Sequence, residues 1–156
     1  MKKLLILSAF SIFIFAACKK DSATSSTNIV AINTIEFYVD GVKQTYGAAY
    51  AIHGKATLGT GYILTVGSNQ ISPTIQVKAF DSVAITPKTY TADGLNDIYS
   101  YTFYGAYQTS SISPKGYVKI TSFTSTNVQG EFTDSVYRFS TNDWKVLKQG
   151  RFNVNF

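Results

Sequence analysis

The sequence contains few of the residues from which catalytic and metal sites are most often built. Its 156 residues include one cysteine, Cys18, and one histidine, His53. A single cysteine excludes an intramolecular disulfide and a thiolate metal cluster, and a single histidine excludes a histidine-rich metal site. The Gly-x-Ser-x-Gly turn of many hydrolases is absent as well. We therefore predict no catalytic residue and no cofactor, and expect the protein not to be an enzyme.

The sequence also lacks an apolar run long enough to cross a membrane. The longest run, Leu4 to Phe15, is interrupted only by two serines and follows Lys2 and Lys3. As a helix it would rise about 18 Å, well short of the roughly 30 Å of hydrocarbon in a bilayer. A positive start followed by a short apolar run is typical of a secretory signal peptide, which we place at residues 1–17.

Two small residues precede the cysteine in Phe15-Ala16-Ala17-Cys18, which resembles the lipobox of bacterial lipoproteins. The resemblance implies that the Cys18 thiol receives a diacylglyceryl group, that cleavage falls before Cys18, and that the new amine is acylated. Two or more acyl chains are enough to anchor a protein stably to a membrane. The alternative is an ordinary signal peptide with a cysteine near its cleavage site.

A short polar segment separates the cysteine from the rest of the chain. Residues 18–28 contain no large apolar side chain after Cys18 and are expected to form a flexible tether. Residues 29–156 have the size of one domain and carry ten basic against eight acidic residues. This small surplus of positive charge argues against a nucleic-acid-binding surface.

The domain is predicted to be all-β, because its apolar residues alternate or cluster in short β-branched and aromatic runs. Asp40-Gly41 predicts a tight turn between the first two strands. The architecture that fits is an antiparallel sandwich, with a small closed, lipocalin-like barrel as the alternative. Ten short strands are predicted, at Thr34–Val39, Val42–Tyr46, Ala49–Thr57, Tyr62–Gly67, Thr74–Phe80, Ile98–Tyr107, Gly116–Phe123, Val128–Phe132, Ser135–Ser140 and Gly150–Phe156.

Alternation within two of these strands predicts which side chains enter the core. Val118 and Ile120 share one face of their strand, and Phe152, Val154 and Phe156 share one face of the last strand. We expect both sets to be buried, with the residues between them pointing outward.

A series of short motifs follows the lipobox along the chain. In order, they are Phe37-Tyr-Val-Asp-Gly41, Thr86-Pro-Lys-Thr-Tyr90, Gly116-Tyr-Val-Lys-Ile-Thr121, Val128-Gln-Gly-Glu-Phe132 and Gly150-Arg-Phe-Asn-Val-Asn-Phe156. This series resembles a group of small Bacteroidota lipoproteins with no established activity. The resemblance implies an all-β domain attached by lipid to the outer membrane, on its periplasmic face or at the cell surface.

Aromatic residues form the most suggestive candidate for a binding surface. Alternation predicts that Tyr99, Tyr101, Phe103 and Tyr107 share one strand face, with Tyr104 on the other. Exposed tyrosine rings offer flat apolar surfaces with polar edges, which suit sugar rings or a protein partner. The alternative is that these rings fill the core.

In Asp93-Gly-Leu-Asn-Asp97, the side chains of Asp93, Asn96 and Asp97 offer oxygen ligands of the kind that bind calcium. The same residue types are typical of a surface turn, and the spacing is not that of an EF-hand.

The remaining candidates are isolated. His53 is predicted to be a partly exposed strand residue. Glu36, Asp81 and Glu131 are acids of the kind that glycosidases use in pairs, but the sequence brings no pair to a defined separation.

These observations predict a lipid-anchored envelope protein that acts as a non-enzymatic binding or structural module. One alternative is a carbohydrate-associated binding or hydrolytic accessory protein that uses exposed aromatic residues. A second alternative is a small outer-membrane β-barrel, since an aromatic final residue is typical of closing strands there. The expected partners are the membrane, through Cys18, and a glycan or envelope protein.

Overall fold

The computed structural model describes residues 30–57, 60–69, 72–93, 99–110, 113 and 115–156. Every strand pairing among these residues is antiparallel, which confirms the predicted all-β antiparallel fold. The described ranges form eleven strands: β1 Thr34–Val39, β2 Val42–Tyr46, β3 Tyr50–Lys55, β4 Tyr62–Ser68, β5 Ile75–Asp81, β6 Thr89–Thr91, β7 Tyr99–Tyr104, β8 Tyr107–Thr109, β9 Gly116–Phe123, β10 Asn127–Arg138 and β11 Asp143–Asn155.

Several strands begin and end where the sequence predicted. The bounds of β1, β2 and β9 agree with the prediction, and Asp40 and Gly41 turn between β1 and β2 with φ of 51° and 79°. Left-handed φ at both central residues is the geometry that Asp-Gly favours in two-residue hairpins.

Other strands differ from the prediction. The predicted strand Ile98–Tyr107 is wrong at Gly105 and Ala106, because Gly105, with φ of 57°, turns the chain between β7 and β8. Two predicted strands between 128 and 140 are the single strand β10. The last strand begins at Asp143 and not at Gly150, and β6 has no counterpart among the predicted strands.

The strands form one curled sheet in which β10 belongs to both layers of the fold. One edge of β10 pairs with β11 along its length, while the other edge pairs first with β9 and then with β8. One layer therefore has the order β2-β1-β11-β10-β9-β6, and the other continues from β10 through β8-β7-β5-β4-β3. The inner faces of the two layers pack against each other, as in a sandwich, and the sheet is open because β2 and β3 pair with no second strand in the described ranges.

Phe37 lies near the centre of the core between the two layers. Its ring stacks on Tyr46 with centroids 5.6 Å apart, contacts the edge of Tyr104 across the layers at 5.6 Å, and meets Phe132 at 5.8 Å. All four rings are buried. These contacts link β1, β2, β7 and β10 in a single apolar core.

The core positions predicted from alternation are mostly confirmed. Val118, Ile120, Phe152 and Val154 are each at most 2% exposed. Phe156 is 39% exposed, so its predicted burial is wrong. It follows the last residue of β11, and its ring is covered only in part, by His53 at 4.4 Å and Phe123 at 5.5 Å.

The expectation that the residues between the core positions of β11 point into solvent is wrong at Asn153. It is 5% exposed, because the segment before β1 lies over it. Its amide nitrogen donates a hydrogen bond to the backbone oxygen of Val30 at 2.9 Å and its amide oxygen accepts one from Asn127 at 2.9 Å.

Two glycines in neighbouring strands make room for two core phenylalanines. A Cβ at Gly130 would lie 2.4 Å from the Phe152 ring, and a Cβ at Gly150 would lie 2.5 Å from the Phe132 ring. Gly130 pairs with Phe152 and Phe132 pairs with Gly150 across β10 and β11. Each ring therefore occupies the space that its cross-strand glycine leaves.

Candidate functional site

The predicted tyrosines Tyr99 and Tyr101 lie with Phe103 on the outer face of β7. All three rings are half-buried. Tyr99 stacks on Phe80 of β5 with ring centroids 4.2 Å apart, and Tyr101 contacts Phe103 at 4.8 Å. These rings do not fill the core, because the inward residues of β7 are the alternate ones.

Tyr107 does not belong to this group, contrary to the prediction. The turn at Gly105 places it on β8, opposite Tyr104 and on the inner face, where it is 9% exposed. Its hydroxyl donates a hydrogen bond to Oδ2 of Asp143 at 2.6 Å, and this bond raises the pKa of Tyr107.

A second aromatic group, which sequence reasoning missed, lies on the outer face of the β10–β11 hairpin. Trp144 is 47% exposed and Phe139 is 55% exposed. Both rings contact Tyr137, with centroids 4.8 Å apart in each pair. The signal was available in Asp143-Trp-Lys-Val146, where large apolar residues alternate with polar ones.

A shallow groove of about 450 Å³ runs beside Trp144 on this face. It is lined by Tyr38, Asp40, Val146 and Lys148 among others. The groove therefore combines the apolar side chains of Trp144 and Val146 with the charged side chains of Asp40 and Lys148.

Strand pairing joins the two aromatic groups into one line across the sheet. We call this line the outer row. Its members are directly opposite one another on successive strands, and they are Trp144, Tyr137, Gln108, Phe103, Gln76, Gly67 and Tyr50. At about 4.8 Å between neighbouring strands, the row from Trp144 to Phe103 measures about 14 Å. Aromatic rings and amides thus alternate along its central part.

The outer face carries more positive than negative charge. Within the described strands, alternation places five cationic side chains and two carboxylates on this face. The carboxylates are Glu36 and Glu131, and the cations are Lys43, Lys78, Lys119, Lys148 and Arg151. Glu36 is neutralised by Lys43 at 2.9 Å. Lys78 lies 4.9 Å from the centre of the Phe103 ring. Within the described ranges, neither Lys78 nor Lys148 has a carboxylate within ion-pair distance.

Glu36 and Glu131 lie on either side of Arg151 on three neighbouring strands. Two strand spacings separate their backbones by about 10 Å. Because a guanidinium lies between the two acids, the register does not place them across an open space in which a sugar could bind for cleavage. Asp81, the third acid considered, is 4% exposed and forms an ion pair with Lys88 on the inner side.

A buried carboxylate that the sequence did not point to lies between the layers. Asp134 is 2% exposed, on the inner face of β10 where that strand passes from β9 to β8. Its Oδ2 accepts a hydrogen bond from the Thr109 hydroxyl at 2.5 Å, while Oδ1 has no partner. Burial raises the pKa of Asp134 to about 6, although the bond from Thr109 opposes this shift.

Thr102, on the inner face of β7, lies beside this carboxylate, and its hydroxyl opposes the rise in the pKa of Asp134. The hydroxyl of Ser100, two residues away on the same face, is buried without a hydrogen-bond partner. The backbone N–H of Thr102 donates to the Thr109 hydroxyl at 2.8 Å. The core thus contains a small polar cluster around Asp134.

The other sequence candidates do not form a site in the described ranges. His53 is exposed, and its ring contacts Phe156 at 4.4 Å and Phe123 at 5.3 Å. Asp93 accepts a hydrogen bond from the Thr91 hydroxyl at 2.6 Å, whereas Asn96, Asp97 and the lipidation candidate Cys18 lie outside the described residues. No cluster of three or more potential metal-ligating side chains occurs among the residues described.

The part of the chain that the structure describes contains no helix with the length and apolarity needed to span a bilayer. Comparison with known proteins adds no assignment: no family model, no curated protein and no solved structure matches the chain.

Proposed function

We propose that the protein is a lipid-anchored component of the bacterial cell envelope, whose β-domain binds a partner through the outer row and does not catalyse a reaction. The anchoring half of the proposal is supported by sequence features: the positive start and short apolar run of residues 1–17, the resemblance of Phe15-Ala16-Ala17-Cys18 to a lipobox, and the polar segment that follows it. The binding half rests on one observation, the line of aromatic and amide side chains on the outer face.

The position of the domain's first described residue favours display of this surface. Val30 is hydrogen-bonded to Asn153, near the end of β11, whereas Trp144 lies near its beginning. Nine residue steps along β11 separate Asn153 from Trp144, which corresponds to at most about 30 Å because the strand is irregular at Gln149. A chain tethered through residues 18–28 would therefore hold the Trp144 end of the row away from its attachment point.

The anchor is tested by mass spectrometry of the mature N-terminus and by fractionation of cells that express the Cys18→Ser variant. We expect the parent to begin at Cys18 with attached acyl chains and to sediment with membranes. The variant should be released into the soluble fraction. Retention of the variant in membranes would contradict lipid anchoring.

Binding is tested by cosedimentation of the purified full-length Cys18→Ser protein with envelopes from cells that lack the protein, because this protein carries no acyl chains that could retain it. The two ring substitutions are introduced into the same background. The Trp144→Ala variant should lose retention, because an aromatic anchor at a binding surface contributes much of the binding energy. Tyr117→Ala is the matched control, since Tyr117 is 36% exposed on β9, away from the row. Equal retention of both variants and the parent would contradict binding through the row.

A further inference from the structure

We propose that the outer row binds an acidic polysaccharide, with its rings stacked on sugar faces and its amides bonded to sugar hydroxyls. This inference rests on the proposed function and names the class of ligand for the same surface. The ligand is defined by two chemical features, a chain of pyranose rings and carboxylates along it.

The rings of the row are held in place before any ligand arrives. Tyr137 is fixed between Trp144 and Phe139, and its hydroxyl donates a hydrogen bond to Oδ1 of Asn142 at the hairpin turn. Phe103 is held between Tyr101 and Lys78. Rings with fixed orientation lose little entropy on binding, and their flat apolar faces match the C–H faces of sugars.

Amides lie between and beside these rings. Gln108 stands opposite both Tyr137 and Phe103 in the strand register, so it separates the two aromatic groups. Gln76 follows Phe103, and its amide nitrogen donates a hydrogen bond to the Tyr50 hydroxyl at 3.1 Å. An amide both donates and accepts hydrogen bonds, as does a sugar hydroxyl, so the alternation of ring and amide fits a polyhydroxylated chain better than a purely apolar partner.

Charge determines the kind of polysaccharide. Lys78 lies against Phe103 within the row, and Lys148 lies at the groove beside Trp144; neither has a carboxylate partner in the described ranges. Two cations at the two aromatic groups complement carboxylates spaced along a chain. A neutral glucan would leave both charges without a partner, and we therefore infer uronic acid residues in the ligand.

The experiment measures the mobility of the purified full-length protein in native gels that contain polygalacturonate, with hydroxyethyl cellulose as the neutral comparison. We expect the parent to be retarded by polygalacturonate and much less by the neutral polymer. Trp144→Ala should weaken the interaction about tenfold or more, as expected for loss of an aromatic anchor. Tyr117→Ala should behave as the parent, and circular dichroism checks that each variant is folded.

The charge is tested separately with Lys78→Met, which preserves most of the side-chain volume. This variant should bind polygalacturonate several-fold more weakly, and its affinity should fall less steeply with added salt than that of the parent. Lys119→Met is the matched control on the outer face of β9 and should change neither quantity.

The outcomes separate this inference from the proposed function. Retention on native envelopes without any retardation by polygalacturonate would overturn the acidic polysaccharide and leave the binding role in place. Equal retardation by both polymers, unchanged in Lys78→Met, would overturn the acidic character. Failure to bind envelopes and polymers alike would overturn both proposals.

Discussion

Replacing Asp134 by asparagine should stabilise the protein at pH 8, although it weakens a charge-assisted hydrogen bond. The parent keeps a carboxylate in the core with one oxygen bonded to Thr109 and the other without a partner. Asparagine has nearly the same shape, its oxygen can accept the same bond, and its amide group carries no charge. The hydroxyl of Thr102, which interacts with the carboxylate in the parent, can accept a hydrogen bond from the new amide group.

The magnitude follows from the pKa of Asp134, which burial raises from 3.8 to about 6. A difference of roughly 2 pKa units corresponds to about 3 kcal/mol of penalty on the ionised form, which is an upper limit to the gain. Exchanging a charge-assisted bond for a neutral one costs about 1 kcal/mol. We expect a net gain of about 1–2 kcal/mol in the free energy of unfolding at pH 8.

The sign of the pH dependence is the decisive measurement. Because the native state holds its proton up to about pH 6 and the unfolded chain only to 3.8, Asp134 stabilises the fold below pH 4 relative to pH 8. This contribution is lost as the pH rises through 6. Urea unfolding followed by circular dichroism at pH 4.5 and pH 8 should therefore give a gain for Asp134→Asn at pH 8 that shrinks at pH 4.5.

Taking the difference between variant and parent cancels the titration of the other carboxylates. Asp93→Asn, at an exposed position, is the control and should show no such pH-dependent gain. A variant that is less stable than the parent at pH 8 by the same amount as at pH 4.5 would refute the reasoning, because the charge would then cost nothing.

Two further substitutions test the packing and the inner ion pair. Gly130→Ala should destabilise the protein by about 3 kcal/mol or more in urea unfolding, because the new Cβ would lie 2.4 Å from the Phe152 ring. Gly54→Ala is the control and should change the stability little, because no atom would lie within 4 Å of its new Cβ. Lys88→Met should lower the stability at pH 7 by about 1–3 kcal/mol, because Asp81 stays buried without its cation. Burial alone would raise the pKa of Asp81, but the partners of the carboxylate lower it. The parent should therefore lose this stabilisation only as the pH falls below 3.8. Thermal unfolding should show a difference in stability between the parent and Lys88→Met at pH 7 that is smaller at pH 3.

The parts of the fold that were predictable are those where local pattern and tertiary environment agree. β1, β2 and the turn at Asp40 follow from alternation and from a dipeptide that tolerates left-handed φ. The inward residues of β9 follow in the same way, since one face of that strand is buried and the other is not.

The parts that were missed depend on partners that a local pattern does not contain. Asp134 falls in the gap between the predicted strands Val128–Phe132 and Ser135–Ser140. It is nevertheless buried within β10, where Thr109 on another strand donates a hydrogen bond to one of its oxygens. Tyr107 was placed with Tyr101 because alternation continues through Gly105, whose turn moves it to the next strand.

The candidate site was half predictable for the same reason. Alternation predicts that Phe103 lies on the outer face together with Tyr99 and Tyr101, of which only Phe103 belongs to the row. The row itself depends on the register of β10 with β8. That register is set by the branch in the sheet, and no local sequence feature indicates it.

The pairing of β1 with β11 has a consequence for how the molecule matures. Val30 and its partner Asn153 are 123 positions apart in sequence, and the bonds from β1 to β11 close the chain almost end to end. Such distant pairing is slow to form because nearly the whole chain must be brought together first. Among the described strands, the β1–β2 hairpin pairs only with β11, so it should remain sensitive to proteases in the nascent chain until β11 has been synthesised.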